Sequence, residues 1–254
     1  YVLLALGNLA FEEGKYDDAY GFFHKALKTG GQNTASRNGM VASLVNRGIE
    51  AYDQGNIDEA VKAFGNALSL DGRSVPALKN LGLIAMERGD NKLAAHYFKL
   101  AMELEPQDRD LIAFFLLVRE NQGNDQGVRE ALERLSRIDP GNGDCRARLG
   151  RIYLDEGRKN AAHQLLVDAV NLNTTEPFPY LYAARMEGNN EKKRYLLHDA
   201  IGKAVVRAST LRIRAARTAQ HSGESFTNEE IELLERLNRQ IEEPLSILEY
   251  CRSM

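Results

Sequence analysis

Histidine and cysteine, the side chains that most often carry acid–base or metal chemistry, are few in this chain and stand far apart. No His-Glu-x-x-His or Cys-x-x-Cys spacing occurs, so neither kind of metal site is indicated. The two cysteines, Cys145 and Cys251, are too few for a disulfide framework and are interpreted as ordinary thiols. The histidines lie in separate segments, at His24, His96, His163, His198 and His221.

The remaining polar residues do not indicate phosphate binding or side-chain catalysis. The glycines recur at fixed distances and mark turns, and none forms a phosphate-cradling loop after a strand. The carboxylates are scattered along amphipathic segments, as on ordinary solvated faces. We therefore expect a non-catalytic segment that needs no cofactor and no metal.

A recurring set of small residues and one aromatic residue indicates the structural elements that would position a binding surface. The reference set is Gly82, Gly89, Ala94, Phe98 and Ala101. The same types stand 34 residues earlier at Gly48, Gly55, Ala60, Phe64 and Ala67. They recur 68 residues after the reference set, with leucine for the aromatic residue, at Gly150, Gly157, Ala162, Leu166 and Ala169. The chain opens with Gly7, Gly14, Ala19, Phe23 and Ala26, and a fixed period in this range indicates stacked structural repeats.

Each period predicts two short amphipathic helices joined by a turn. In the reference repeat, apolar residues three and four apart predict a first helix over 78–86 and a second helix over 92–104. Gly89 permits the left-handed conformation that closes the first helix. Pro106 cannot continue the second helix, because it lacks an amide hydrogen and clashes with the preceding turn.

The small residues have a packing role in this interpretation. We expect Gly82 to face Ala94 and Ala101, so that the two helices approach closely, and Phe98 to fill the space toward the next repeat. This spacing resembles the tetratricopeptide repeat. The resemblance covers residues 1 to about 175 well and extends weakly to about 205.

The resemblance implies an all-α fold, a right-handed superhelical solenoid of stacked antiparallel helix pairs with extra C-terminal capping helices. Another solenoid of helix pairs is the alternative. We expect a solenoid over 1–205 and a helical cap over 206–254 that packs on the last repeats. The repeats are placed near 1–31, 35–74, 75–108, 109–142 and 143–176, followed by a degenerate repeat over 177–205.

Two repeats depart from the pattern. Repeats one and two are separated by 41 residues, seven more than the period, which predicts a lengthened first helix over about 35–54; a flexible loop is the alternative. Repeat four has Leu116, Val128 and Leu135 at the positions of the small residues, so its helices should be more widely spaced or differently crossed. Its apolar run over 112–118 is too short to span a membrane and predicts a helix with one packed face and one face lining a groove.

Charge is unevenly placed in the C-terminal part. The whole chain has a formal net charge of −3, but residues 190–221 carry +6 and residues 222–254 carry −5. Pairing of this basic stretch with the acidic helix over 229–243 is favoured over contact with a phosphate backbone, and few aromatic residues interleave the basic ones. The basic residues are Lys192, Lys193, Arg194, Lys203, Arg207, Arg212, Arg214 and Arg217.

The C-terminal segment contains its own sequence signals for the start of a helix. Thr227 and Glu230 form the pattern of a capping box, and an apolar stripe follows that Pro244 must kink. The sequence shows no signal peptide and no membrane-spanning segment, which favours a cytoplasmic location.

The resemblance also implies where a partner binds, since the first helix of each tetratricopeptide repeat lines the concave face. An exposed apolar patch usually marks a contact site. On that face Asn46 and Asn80 could hydrogen-bond the backbone of an extended peptide, and a bound amphipathic helix fits equally well. The projected groove, largely apolar at its centre, consists of Asn8, Phe11, Val45, Asn46, Ile49, Tyr52, Lys79, Asn80, Leu83, Met86, Phe114, Leu117, Arg148 and Arg151.

One subclass of the family clamps the C-terminal carboxylate of chaperone peptides with Lys, Asn and Arg from three successive first helices. Asn8 and Asn46 match that pattern here, but Leu4, Pro76 and Asn80 stand at the cationic positions. The resemblance therefore does not extend to binding of chaperone tails.

We expect a scaffold or adaptor that holds a peptide or helix of a partner protein within a larger assembly. One alternative is a self-associating structural element, in which the groove or the edge helices meet a second copy. Another is nucleic-acid contact through residues 192–217. A groove filled by another part of the same protein also stays open.

Overall fold

The computed structural model describes residues 1–30, 33–189, 191–193, 195–196, 198–200, 202–206 and 209–210. Within these residues every regular element is a helix, so the predicted all-α fold is confirmed. The helices are α1 (Val2–Glu12), α2 (Tyr16–Lys28), α3 (Asn33–Asp53), α4 (Ile57–Leu70), α5 (Val75–Glu87), α6 (Asn91–Leu104), α7 (Arg109–Asn121), α8 (Asp125–Ile138), α9 (Gly143–Asp155), α10 (Lys159–Asn171) and α11 (Phe178–Met186).

Successive helices pack in antiparallel pairs joined by tight turns: α1 with α2, α3 with α4, α5 with α6, and α9 with α10. Between α5 and α6 the chain reverses at Gly89, whose φ of 75° lies in the left-handed region that favours glycine. The Asp90 side chain then accepts a hydrogen bond from the backbone amide of Leu93 and caps α6. The predicted helix pair of the reference repeat is therefore present.

Each pair is held by close contact between a glycine of the first helix and a large side chain of the second. A Cβ atom built on Gly82 would lie 2.7 Å from Cε1 of Phe98, which is completely buried. A Cβ atom built on Gly48 would lie 2.6 Å from Cε1 of Phe64, and one built on Gly150 would meet the side chain of Leu166 in the same way. The three atoms nearest to the Cβ position of Gly82 all belong to Phe98, so its ring makes the closest contact with Gly82. That Gly82 also faces Ala94 and Ala101 stays a prediction.

The same aromatic ring also reaches the following repeat. Phe98 stacks on Phe114 of α7, with ring centroids 5.5 Å apart and planes inclined by 20°. This confirms the expectation that Phe98 fills the space toward the next repeat. One side chain therefore links its own helix pair to the next pair.

The seven extra residues between repeats one and two lengthen α3, as predicted. This helix has 21 residues, against 11 to 14 in the other helices of the first four repeats. Its first half packs on α2, where Phe23 contacts Gly39 as well as Gly7. Its second half packs on α4 through Gly48 and Phe64. A single long helix therefore serves two successive interfaces.

The chain divides into two compact units, which we call unit 1 (1–131) and unit 2 (132–254). The division falls inside α8 of repeat four, the repeat in which Leu116, Val128 and Leu135 replace the small residues. In α7 the predicted two apolar faces are present. Ile112 is buried, whereas Leu117 is 44% exposed.

The first helix of the degenerate sixth repeat is α11, which begins at Phe178, one residue after the start of the repeat expected over 177–205. The capping box at Thr227 and Glu230, Pro244 and the acidic segment over 229–243 lie outside the described residues, and most of the expected cap over 206–254 does too. The division into a solenoid over 1–205 and a cap stays a prediction.

We predict that Gly82→Ala destabilises the protein by about 1–3 kcal/mol, since the added methyl group overpacks the buried Phe98 ring. The measurement is the free energy of unfolding from urea titrations followed by circular dichroism.

Gly65→Ala is the matched control, since Gly65 lies inside α4 with nothing within 4 Å of the position that an added methyl group would take. This substitution should stabilise the protein by about 0.5–1 kcal/mol, because alanine is the better helix former. Equal effects of the two substitutions would contradict the close contact between Gly82 and Phe98.

Candidate protein-binding surface

No cluster of three or more potential metal-ligating side chains occurs among the residues that the structure describes. In the same residues, no helix combines the length and apolar character needed to cross a lipid bilayer. The surface features that stand out are instead the side chains that the first helices of the repeats leave uncovered.

In unit 1 we call these side chains the first-helix face: Asn8 and Phe11 of α1, Ile49 and Tyr52 of α3, Leu83 and Met86 of α5, and Phe114 and Leu117 of α7. Ile49 and Leu117 are exposed, and Leu83, Met86 and Phe114 are half-buried. Several of them are partly covered: Phe114 stacks on Phe98 of the preceding repeat, and Tyr52 and Phe11 pack against buried clusters. The periodicity of the helix places them in one row.

Contacts between neighbouring first helices show that these side chains lie next to one another. The Tyr52 hydroxyl of α3 donates a hydrogen bond to Glu87 at the end of α5. Lys79 of α5 reaches α7, where its Nζ lies 3.8 Å from Asp110 Oδ2 and 5.6 Å from the centroid of the Phe114 ring. These polar contacts therefore connect neighbouring first helices. The side chains of Leu83 and Leu117 are apolar and take no part in them.

The two asparagines proposed to hydrogen-bond a peptide are partly used within their own helices. Nδ2 of Asn46 donates to the carbonyl oxygen of Ala42 at 3.0 Å, and Nδ2 of Asn80 donates to that of Pro76 at 2.8 Å. Each amide retains one further hydrogen and its carbonyl oxygen. These groups could hydrogen-bond the backbone of a bound peptide.

The other predicted residues of unit 1 differ in accessibility. Asn8 is exposed, and Phe11 is half-buried with its ring edge-to-face on Tyr16 at 5.5 Å. Val45 is only 6% exposed and belongs to the core shared by α3, α4 and α5, so it offers little surface to a partner.

In unit 2 the corresponding positions hold cationic residues. Arg151 of α9 is exposed and lies over the ring of Phe178 at 5.2 Å, and Arg148 is half-buried. Arg185 and Tyr182 of α11 occupy the positions one period after Arg151 and Arg148. These two residues are missing from the groove predicted from the sequence, although the period of 34 residues points to them. The first helices of unit 2 thus present guanidinium groups where those of unit 1 present leucine and phenylalanine.

Part of the basic stretch after α11 also falls among the described residues. Lys203 Nζ donates to Asn173 Oδ1 at 2.9 Å and lies 5.2 Å from the ring centroid of Tyr180. This lysine therefore contacts residues of its own unit. The arginines at 194, 207, 212, 214 and 217 lie outside the described residues.

The thiol of Cys145 in α9 has a clearly shifted pKa. Burial, more than the nearby Asp139, raises the pKa of this thiol from 9.0 to about 11. The Sγ atom donates to the carbonyl oxygen of Leu132 at 3.3 Å. A buried, protonated thiol packs as a small apolar group and is a poor nucleophile.

The comparison with protein families agrees with this arrangement of helix pairs. One tetratricopeptide repeat model matches residues 45–109 and a second matches residues 121–183, together about half of the chain. The chain therefore belongs to the tetratricopeptide repeat family. Proteins of this family generally bind protein or peptide partners, so its general function is that of a protein-interaction scaffold.

Individual relatives are distant. Cellulose synthase 1 operon protein C of Komagataeibacter xylinus is 28% identical over 85 residues, which are 34% of this chain and 6% of that protein, so the match spans a small part of that relative. Among solved structures, MamA is 22% identical, with 66% of this chain and 94% of MamA covered and a TM-score of 0.45. YrrB, described as a TPR protein with an unusual peptide-binding site, is 20% identical, with 67% and 84% covered and a TM-score of 0.45.

We predict that Cys145 reacts with 5,5′-dithiobis(2-nitrobenzoic acid) at pH 8 at least about a hundredfold more slowly in the folded protein than in urea, because its raised pKa leaves about a hundredfold less thiolate. The variant Cys251→Ser isolates this thiol. Its reaction is followed by absorbance.

A fast reaction in the folded state would show that Cys145 is accessible and ionised. The sign of the pKa shift also predicts a pH effect on stability. The unfolded thiol ionises near pH 9 and the folded thiol only near pH 11, so the contribution of Cys145 to stability is present below pH 9 and is lost as the pH rises toward 11.

Proposed function

We propose that the chain is a non-catalytic adaptor whose first-helix face in unit 1 binds an apolar peptide or helix of a partner protein. The observation that carries this proposal is the set of apolar side chains left partly or fully exposed on successive first helices, centred on Leu83, Phe114 and Leu117. Large apolar side chains grouped on a surface usually mark a contact site.

The chemistry of this face favours an apolar segment. Leu83 and Leu117 are apolar, and the cationic Lys79 of α5 is already engaged by Asp110 and Phe114. An exposed ion pair of this kind contributes about 0–1 kcal/mol. The binding energy would therefore come from burial of apolar area.

The amides of Asn46 and Asn80 supply the polar part of the site. One hydrogen of each amide is bonded inside its helix, which holds the side chain in position. The remaining hydrogen and the oxygen can pair with the backbone of an extended peptide. An amphipathic helix would instead use only the apolar row, so loss of binding on Asn80→Ala distinguishes the two modes.

Self-association through the same face is the alternative function. A second copy would bury Ile49, Leu83 and Leu117 against the same residues of its partner. Light scattering over a range of concentrations separates the two: a monomer at high concentration favours the adaptor, and a dimer that Leu83→Glu dissociates favours self-association.

We predict that Leu83→Glu together with Leu117→Glu abolishes partner binding, at about 1–2 kcal/mol or more for each substitution, because a carboxylate replaces an apolar contact. Both side chains lie outside the core, so helicity should be unchanged by circular dichroism. Phe114 is avoided because it stacks on the buried Phe98. The measurement is affinity capture from an extract of the source organism, compared by mass spectrometry and repeated with the purified partner.

Leu93→Glu is the matched control. Leu93 lies in the second helix α6 and is 41% exposed, close to the 44% of Leu117. The Leu93→Glu variant should capture the same proteins as the unaltered chain. If the double variant and the unaltered chain capture the same proteins in the same amounts, the first-helix face is not the binding site.

A further inference from the structure

A charged contact lies beside the two leucines of the first-helix face. Lys79 of α5 stands one helical turn before Leu83, and Phe114 of α7 stands about one turn before Leu117. The Lys79 side chain crosses from α5 to α7, where its Nζ lies 5.6 Å from the centroid of the Phe114 ring. A segment that covers both leucines and continues by one helical turn therefore also covers Lys79.

The core beneath the face supports the position of Lys79. Phe98 is completely buried and stacks on Phe114, with ring centroids 5.5 Å apart. Lys79 in turn lies over the Phe114 ring, in a cation–π contact that favours one position of its ammonium group. A charge that is already positioned loses less conformational freedom when a ligand binds it.

These contacts do not use the hydrogen bonds that Lys79 can donate. Its Nζ lies 3.8 Å from Asp110 Oδ2, which is too far for a hydrogen bond. In the described part of the chain Lys79 makes no hydrogen bond, so its three N–H groups are free to donate to a ligand. The Lys79 side chain is 31% exposed, which makes it accessible from the face.

Asp110 has a structural reason of its own to stand beside Lys79. It lies in the first turn of α7, where a negative charge interacts favourably with the positive end of the helix dipole. Its side chain is 75% exposed, and solvent-exposed ion pairs of this kind contribute little to stability. A carboxylate of a bound segment can therefore take its place beside Lys79 without loss of a strong contact.

The repeat pattern shows that the fold does not require a lysine at this position. Leu4, Val45 and Ala113 stand at the position of Lys79 in the other first helices of unit 1. Helix pairs form with these apolar residues, so the charge of Lys79 is not needed for packing. Since α5 alone among these helices has a cation here, a charged partner group is expected at one place in a bound segment.

A segment that covers Lys79 has to replace the water around its ammonium group. Removal of an ammonium from water without a hydrogen-bonding partner is unfavourable, and a carboxylate compensates both its charge and its donors. We propose that Lys79 is a specificity-determining residue of the first-helix face and binds an acidic side chain of the partner's apolar segment. This side chain lies about 6 Å along α5 from the contact with Leu83. The inference rests on the proposed function of that face.

The probe is a library of random peptides displayed on phage and joined to the coat protein through their C-termini. We expect the unaltered full chain to select apolar peptides with aspartate or glutamate enriched at one position. Lys79→Met keeps an unbranched side chain against Phe114 and should select apolar peptides without this enrichment. Lys79→Glu should favour lysine or arginine at the same position. The control Lys99→Met, an exposed lysine of α6, should select the same peptides as the unaltered chain.

The affinity of a selected peptide tests the pairing directly. The peptide is made with an amidated C-terminus, so that its carboxylate is a side chain, and binding is followed by fluorescence anisotropy. Lys79→Met, or the amide in place of the acidic residue of the peptide, should weaken binding at least about fivefold, and the two changes together should weaken it no further. Asp110→Asn should tighten binding about twofold to fivefold, because it removes the competing carboxylate. A merely structural role of Lys79 would produce neither result.

The selection separates failure of this inference from failure of the proposed function. Apolar peptides that lose binding on Leu83→Glu with Leu117→Glu, but show no acidic enrichment or bind Lys79→Met equally well, would overturn the role of Lys79 alone. If no selected peptide depends on Leu83 and Leu117, both the role of Lys79 and the binding function of the first-helix face are overturned.

Discussion

The structure depends on the contact between a glycine of the first helix and a large side chain of the paired second helix, which is made in repeats one, two, three and five. In the reference repeat the ring of Phe98 lies where a side chain at position 82 would begin. This contact lets the two helices approach closely, and the buried ring excludes water from between them. Since Phe98 also stacks on Phe114, the same residue determines how the next first helix lies on the pair. A repeat that keeps this contact keeps its position relative to its neighbour.

Once the pair is formed, each first helix has three faces with different uses. In α5, Leu78, Gly82 and Ala85 lie on the side of α6, while Ala77, Leu81 and Ile84 share the core with α4. Leu83 and Met86 belong to neither group and are half-buried. The apolar character of a first helix therefore does not show by itself which residues bind.

The open face is also where the repeats differ most in chemistry. The position of Leu117 in α7 is held by Arg151 in α9 and by Arg185 in α11. The contacts that build the helix pair do not involve this position, so it can change from apolar to cationic without loss of the fold. Unit 1 and unit 2 thus offer different surfaces on the same framework. In the function that we propose, recognition depends on these variable positions, and the fold spaces them.

The sequence alone determined the local structure, because a period of 34 residues and the spacing of apolar residues depend only on near neighbours. Helix pairs, glycine turns, the lengthened α3 and the position of α11 all followed from it. Only the tertiary structure decided which side chain lies on Gly82 and that Val45 is buried. These outcomes depend on helices more than a turn away in the sequence, and the same leucine is core or surface according to whether such a helix covers it.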